Sequence, residues 1–249
     1  MTTAPRFVSH GLTHVGLVRQ RNEDAFIERP EHGIWAVADG MGGHEQGDYA
    51  SAAVVNRLAM FKPFADLEEF TDEVRRALAH VDVHLRARAK AAGPQTVIAS
   101  TVACLLVYGE EFAAVWSGDS RVYQLRDGGL LRLSADHSRL QELIDARLLS
   151  PEEGRQHPEA HIVTQAIGTG RLHFGTRVGM VRPGDGFLLC SDGLTNMVAD
   201  DEIAAALATG DPQQVAEQLR DLVLSRGAVD NVTIIVVAAR PDPSEETPR

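Results

Sequence analysis

Gly33-Ile-Trp-Ala-Val-Ala-Asp-Gly40 is a short apolar run with strand character that stops on an acid followed by glycine. The pattern returns in Phe112-Ala-Ala-Val-Trp-Ser-Gly-Asp119 and in Gly186-Phe-Leu-Leu-Cys-Ser-Asp-Gly193. A fourth run, Asp230-Asn-Val-Thr-Ile-Ile-Val-Val237, reverses it and puts the acid first. In an antiparallel sheet the C-terminal end of one strand lies beside the N-terminal end of its neighbour. Asp39, Asp119, Asp192 and Asp230 can therefore meet at one edge, although they are far apart in the chain. Carboxylates gathered there repel, and each raises the pKa of the others. Divalent metal is the natural compensation, and donors that are all oxygen favour hard ions such as Mg²⁺ or Mn²⁺.

Working outward, further strands are expected over residues 7–16, 25–27, 101–108, 161–167, 176–181 and 232–238, with hairpins at residues 109–110 and 126–129. Helices are expected over residues 46–61 and 67–92. In the second, Phe70, Val74, Ala77, Leu78, Val81 and Leu85 follow three-four spacing, and Gly93-Pro94 stops it. A helical stretch starts at Asp200, and Pro212 is well placed to open another that runs to about Arg226. Residues 136–160 are polar, with one helical portion around Leu140, Leu143, Ile144 and Leu148. Strands come in hairpins and helices in pairs, without βαβ alternation. This order points to the α+β class, antiparallel sheets covered by helices.

The chain has 249 residues, 44% apolar and 24% charged, ample for a sizeable core. Its formal net charge is −11, which argues against nucleic acid as a partner, because phosphate contacts need clustered Lys and Arg. Cys104 and Cys190 both lie in apolar runs and fit buried free thiols better than a disulfide. No apolar run is long enough to cross a bilayer, so no membrane association is expected. The first residues lack a signal-peptide core, which leaves a cytoplasmic setting as the expectation.

The N-terminal stretch Gly16-Leu-Val-Arg19-Gln-Arg-Asn22-Glu23-Asp24 adds two acids and an arginine whose planar fork suits phosphate. It is followed in order by Ala38-Asp39-Gly40-Met41-Gly42-Gly43-His44, Gly118-Asp119-Ser120-Arg121, Asp136-His137-Ser138, Thr164-Gln165-Ala166-Ile167-Gly168, Cys190-Ser191-Asp192-Gly193-Leu194 and Asp230-Asn231-Val232-Thr233. From about residue 8 to residue 238 the chain resembles the metal-dependent PPM/PP2C family of protein serine/threonine phosphatases, in its bacterial form. The resemblance implies two packed antiparallel β-sheets flanked by pairs of helices, an α-β-β-α sandwich over residues 1–239. It also implies a flap at about residues 138–160 and a disordered tail at residues 240–249.

The same resemblance implies roles. Asp39 bridges two Mn²⁺ or Mg²⁺ ions, the Gly40 carbonyl binds one, and Asp192 and Asp230 hold the other. Glu23 or Asp24 supports the site directly or through water. Asp119 matches a position that bacterial relatives use for a third ion. Arg19 grips the substrate phosphate. Met41 stands where many eukaryotic relatives carry the histidine that protonates the leaving oxygen; His44 is the candidate for that proton, with metal-bound water as the alternative. The reaction implied is hydrolysis of phosphoserine and phosphothreonine in proteins by a water shared between the ions, carried out by a monomer that opposes a Ser/Thr kinase. The chemistry is coherent: paired metals lower the pKa of water toward neutrality and screen the phosphate. Neither a Gly-x-Ser-x-Gly elbow nor a cysteine in a phosphate-cradling loop competes with it.

Plainer roles stand beside these. Any Asp-Gly is a turn former, Glu23 and Asp24 can cap strands, and Asp136 can cap a helix. Arg19 can be a surface charge and His137 a hydrogen-bonded structural histidine. A binding module that kept the fold without the chemistry would be expected to have lost one of these acids, and none is missing.

Overall fold

The computed structural model describes residues 5–42, 46–61, 64–150, 153 and 162–241. Eleven strands among them form two antiparallel sheets. The first contains β1 (Arg6–His14), β7 (Arg121–Arg126), β8 (Gly129–Arg132), β10 (Gly186–Cys190) and β11 (Val232–Arg240), in the order β1-β11-β10-β7-β8. The second contains β2 (Asp24–Arg29), β3 (Ile34–Gly42), β5 (Val102–Tyr108), β6 (Glu111–Ser117) and β9 (Gly175–Met180), in the order β2-β3-β5-β6-β9. The short β4 (Ile98–Ser100) pairs with the end of β3.

Alternation of side chains explains the layers. On β3, Trp35 and Val37 point to the other sheet and meet Phe187, Leu189, Ile235 and Val237. Ile34, Ala36 and Ala38 point the opposite way, against Val54 and Leu58 of α1 (Gly47–Ala59) and Phe70, Val74, Leu78 and Leu85 of α2 (Leu67–Ala92). On β11 the same division sends Ile234 and Val236 outward, against Ile203 of α5 (Asp200–Leu207) and Val215, Leu219 and Val223 of α6 (Pro212–Ser225). Strands buried on both faces read as continuous apolar runs, which is why these stood out in the sequence. The result is the expected α-β-β-α sandwich.

Two short helices, α3 (Arg139–Asp145) and α4 (Asp192–Thr195), and a 3₁₀ turn at Pro30–His32 are also present. The α2 bounds match the expected ones, fixed by an Asp66 carboxylate that accepts the Glu69 N–H at 2.7 Å and by Gly93 at the other end. The β7–β8 hairpin turns at Asp127 and Gly128, both at positive φ.

The expected strand over residues 161–167 is a correction. Residue 161 lies outside the described residues, and the rest makes two isolated bridges, Ser138 with Val163 and Ser100 with Ile167. This segment stitches two separate places together instead of lying along one neighbour. The helical portion of the flap is α3, capped by Ser138. Residues 151–152 and 154–160 of the expected flap, and 242–249 of the expected tail, lie outside the described residues.

Candidate metal centre

The pairing puts the acids where the sequence suggested. Asp24 opens β2 directly opposite Asp39 near the end of β3. Asp119 follows β6, Asp192 follows β10, and Asp230 precedes β11, so strand ends and strand starts converge on one rim of the sandwich. A cavity of about 410 Å³ opens there, lined by Arg19, Glu23, Asp39, Gly40, Met41, Gly42, Asp119, Val163, Asp192, Asp230 and Asn231. Seven of the eight expected residues with described positions thus share one cavity. The eighth, Asp24, sits behind its wall. His44 lies outside the described residues.

Asp24 is buried, and its Oδ2 accepts hydrogen bonds from Ser191 Oγ at 2.8 Å and Thr233 Oγ1 at 2.7 Å. Held that way, it suits outer support of the centre. Glu23 reaches the cavity, and its carboxylate takes a hydrogen bond from the Gly47 backbone at the start of α1. A Cβ on Gly47 would overlap Glu23 Oε1, and one on Gly40 would overlap the Gly47 carbonyl. Here glycine is required by close approach of backbones. Arg19 is half exposed at the rim, where its guanidinium donates to Asp230 Oδ2 at 2.7 Å. Asn196 donates to Asp192 Oδ2 at 3.0 Å.

Several polar residues organise the acids; all but Thr101 stand in the motifs quoted above, where they were given no role of their own. Thr101 Oγ1 accepts the Asp39 N–H at 3.0 Å and shares a hydrogen bond of 2.7 Å with Ser120, next to Asp119. Ser191 and Thr233 hold Asp24. Asn231 accepts the Glu23 N–H at 2.8 Å. The only local signal is a polar residue embedded in or beside an apolar strand. The His137 backbone donates to the Gly118 carbonyl at 2.8 Å and accepts the Thr164 N–H at 2.9 Å, and its imidazole Nδ1 accepts the Gly118 N–H at 3.4 Å, contacts that fit a hydrogen-bonded histidine. Burial, then His173, hold its imidazole below the ordinary range. Asp136 does not cap α3; it takes the Arg121 guanidinium at 2.7 Å.

The electrostatics of the cavity are those of a crowded cluster of acids, with Arg19 at its mouth paired to Asp230. Desolvation first, then the charges of Asp24, Asp192, Asp119 and Asp230, push the Asp39 carboxyl well above its ordinary value. Asp119 is raised by desolvation and by Asp192. Asp24 is raised by desolvation, partly offset by the Thr233 and Ser191 hydroxyls. Glu23 is raised by desolvation and by Asp48. Among the described residues, no three carboxylate, imidazole or thiolate groups close on one point as a finished shell. Hard divalent ions do not demand that, since Mg²⁺ keeps several waters and takes one or two carboxylates. An all-oxygen set of acids, with the Gly40 backbone in the same wall, fits such ions.

The model of the family described as protein phosphatase 2C matches residues 14–223. The chain belongs to the protein phosphatase 2C family. It is 35% identical over 231 residues to the serine/threonine protein phosphatase PstP of Mycobacterium tuberculosis, a match that covers 89% of this chain and 43% of PstP. The chain thus spans under half the length of that relative. Among solved structures, PppA, a key regulatory component of T6SS in Pseudomonas aeruginosa, superposes with a TM-score of 0.89 at 40% identity, covering 96% of this chain and all of that one (100%). The catalytic domain of PstP in complex with two manganese ions superposes with a TM-score of 0.84 at 30% identity, covering 94% of this chain and 98% of that one.

Proposed function

We propose that the protein is a metal-dependent phosphatase acting on phosphoserine and phosphothreonine in proteins. The observation that carries this is the convergence of Asp39, Asp119, Asp192, Asp230 and Glu23 on one cavity, with Arg19 at its mouth. Asp39 with Gly40, and Asp39 with Asp192 and Asp230, would hold two Mn²⁺ or Mg²⁺ ions; Asp119 would take part in a third site. Bound ions would supply the Lewis acidity that brings the pKa of an attacking water toward neutrality and offsets phosphate charge.

The chain's own groups do the rest. Arg19 would leave Asp230 for the phosphate oxygens, exchanging one anionic partner for another with the same planar fork. Held at the rim, it would meet the equatorial oxygens as their charge develops. Asp24 and Glu23 would fix the surrounding wall, Asp24 through Ser191 and Thr233 and Glu23 through Gly47 and Asn231. Cys104 and Cys190 are buried free thiols and take no part. A cytoplasmic setting is part of the proposal; among the described residues no helix is long and apolar enough to cross a membrane. A monomer opposing a Ser/Thr kinase is the simplest setting, and the likeness to PppA, a regulatory component of T6SS, supports a role beside a secretion-system kinase.

The test is release of phosphate from a phosphothreonine peptide by metal-loaded protein, with and without chelator. Turnover that needs Mn²⁺ or Mg²⁺ is expected. A metal-loaded protein that binds the peptide and releases no phosphate would overturn the proposal in favour of a binding module.

A further inference from the structure

We propose that Asn231 is a positioning residue that anchors the loop between β1 and β2 and so sets the aim of Arg19 and Glu23 into the cavity. The functional part of this rests on the phosphate role given to Arg19 above. Asn231 is only 6% exposed. Its Nδ2 donates to the Val15 carbonyl at 2.8 Å and to the Arg21 carbonyl at 2.9 Å, while its Oδ1 accepts the Glu23 N–H at 2.8 Å. One side chain therefore holds both ends of the loop. The match is specific to an amide: two carbonyls face the donor atom and one N–H faces the acceptor, so a flipped amide would set like against like.

The loop is defined by individual anchors. It contains neither helix nor strand, and Gly16 turns it at a φ of 82°. Beyond Asn231, its anchors among the described residues include Leu17 N–H to the Ala228 carbonyl at 2.9 Å, Gly16 N–H to His14 Nδ1 at 2.9 Å, the Asn22 amide to Thr13 Oγ1 at 2.8 Å and, at its end, Gly40 N–H to the Glu23 carbonyl at 3.1 Å. Asn231 is itself fixed. Its N–H donates to Asp230 Oδ1 at 2.8 Å, and Gly193 leaves room for its carbonyl where a Cβ would overlap it. The residue thus ties the loop to the strand that carries Asp230. Arg19 is a long, half-exposed side chain, so the path of its backbone decides where its guanidinium can reach. Displacements near 1 Å at a positioned group are enough to cost up to about a hundredfold in rate.

The experiment compares Asn231→Ala and Asn231→Asp in wild-type and Arg19→Ala backgrounds. Asp keeps the size and the acceptor but loses both donors, so it keeps the proposal testable if the alanine variant folds poorly. Hydrogen exchange is read over residues 15–23, and kcat and KM are read on a phosphothreonine peptide with saturating Mn²⁺. Faster exchange confined to that loop is expected, with KM raised about tenfold and kcat changed less. In the Arg19→Ala background the same substitution should change KM by less than about twofold, because the group it positions is already gone. Unchanged protection of residues 15–23 in both variants, or an equal KM effect in both backgrounds, would overturn the proposal. Should Arg19→Ala alone leave KM unchanged, the phosphate role of Arg19 falls, and hydrogen exchange still decides whether Asn231 anchors the loop.

Discussion

Two groups of acids in this sandwich are treated differently. Asp82, Asp136 and Asp185 are each given a cation by the fold. Asp185 takes Arg126 through two nitrogens at 2.8 and 2.6 Å and adds Gln124 and the Arg182 N–H. Asp136 takes Arg121, and Asp82 takes Arg86 together with the Gly168 N–H. Asp39 and Asp119 in the cavity wall, and Asp24 behind it, make no ion pair among the described residues. Where an acid serves the scaffold, its counter-charge is built in. Around the cavity Asp230 takes Arg19 at the mouth, but Asp24, Asp39 and Asp119 are desolvated and crowded, and their counter-charge is left to come from outside.

Asp39→Asn breaks the cavity side of this contrast most severely. It should lower kcat on a phosphopeptide by about a thousandfold, while the metal-free protein melts no lower than wild type because one crowded charge is gone. Asp185→Asn should do the reverse. Removing one partner of a buried pair costs about 3 kcal/mol, visible as a lower denaturation midpoint, while kcat/KM of the folded protein stays within about twofold. If both variants behaved alike, the division would be wrong.

pH sharpens the contrast. The cavity acids have folded pKa values above their unfolded ones, so between about pH 4 and neutrality the folded state binds more protons than the unfolded. Stability of the metal-free protein should therefore be greatest on the acid side of that window and fall as pH rises through it. Thermal melts should show Mn²⁺ restoring most at the alkaline end, and Asp39→Asn should flatten the slope. A metal-free melting temperature from these groups that rises with pH would contradict the crowding. The smallest effect is expected for Ser191→Ala, which deprives Asp24 of one hydroxyl. It should cost about 1 kcal/mol and weaken Mn²⁺ binding by about tenfold, read by calorimetry.

The acids of the cavity were legible in the sequence because each stands at the end of an apolar run beside glycine or asparagine, a purely local signal. The α2 helix was legible for the same reason, since its period, its cap and its terminating Gly93 all lie within the segment. Residues that act across the chain were not legible as such. Asn231 reaches Val15, Arg21 and Glu23 more than 200 positions away (216, 210 and 208), and Thr233 reaches Asp24 from 209. A polar residue in a strand carries no mark of its distant partner. The expected strand over residues 161–167 failed from the opposite cause. Ile162, Val163 and Ile167 have the composition of a strand, but the backbone there bridges to residues 138 and 100 in turn and lies along neither.

The most direct measurement is an anomalous difference map from crystals of the protein soaked in Mn²⁺. Two peaks inside the cavity are predicted, one between Asp39 and Gly40 and one among Asp39, Asp192 and Asp230. A saturating soak that leaves those positions without density, or that places manganese only at scaffold acids outside the cavity such as Asp185, would contradict the account.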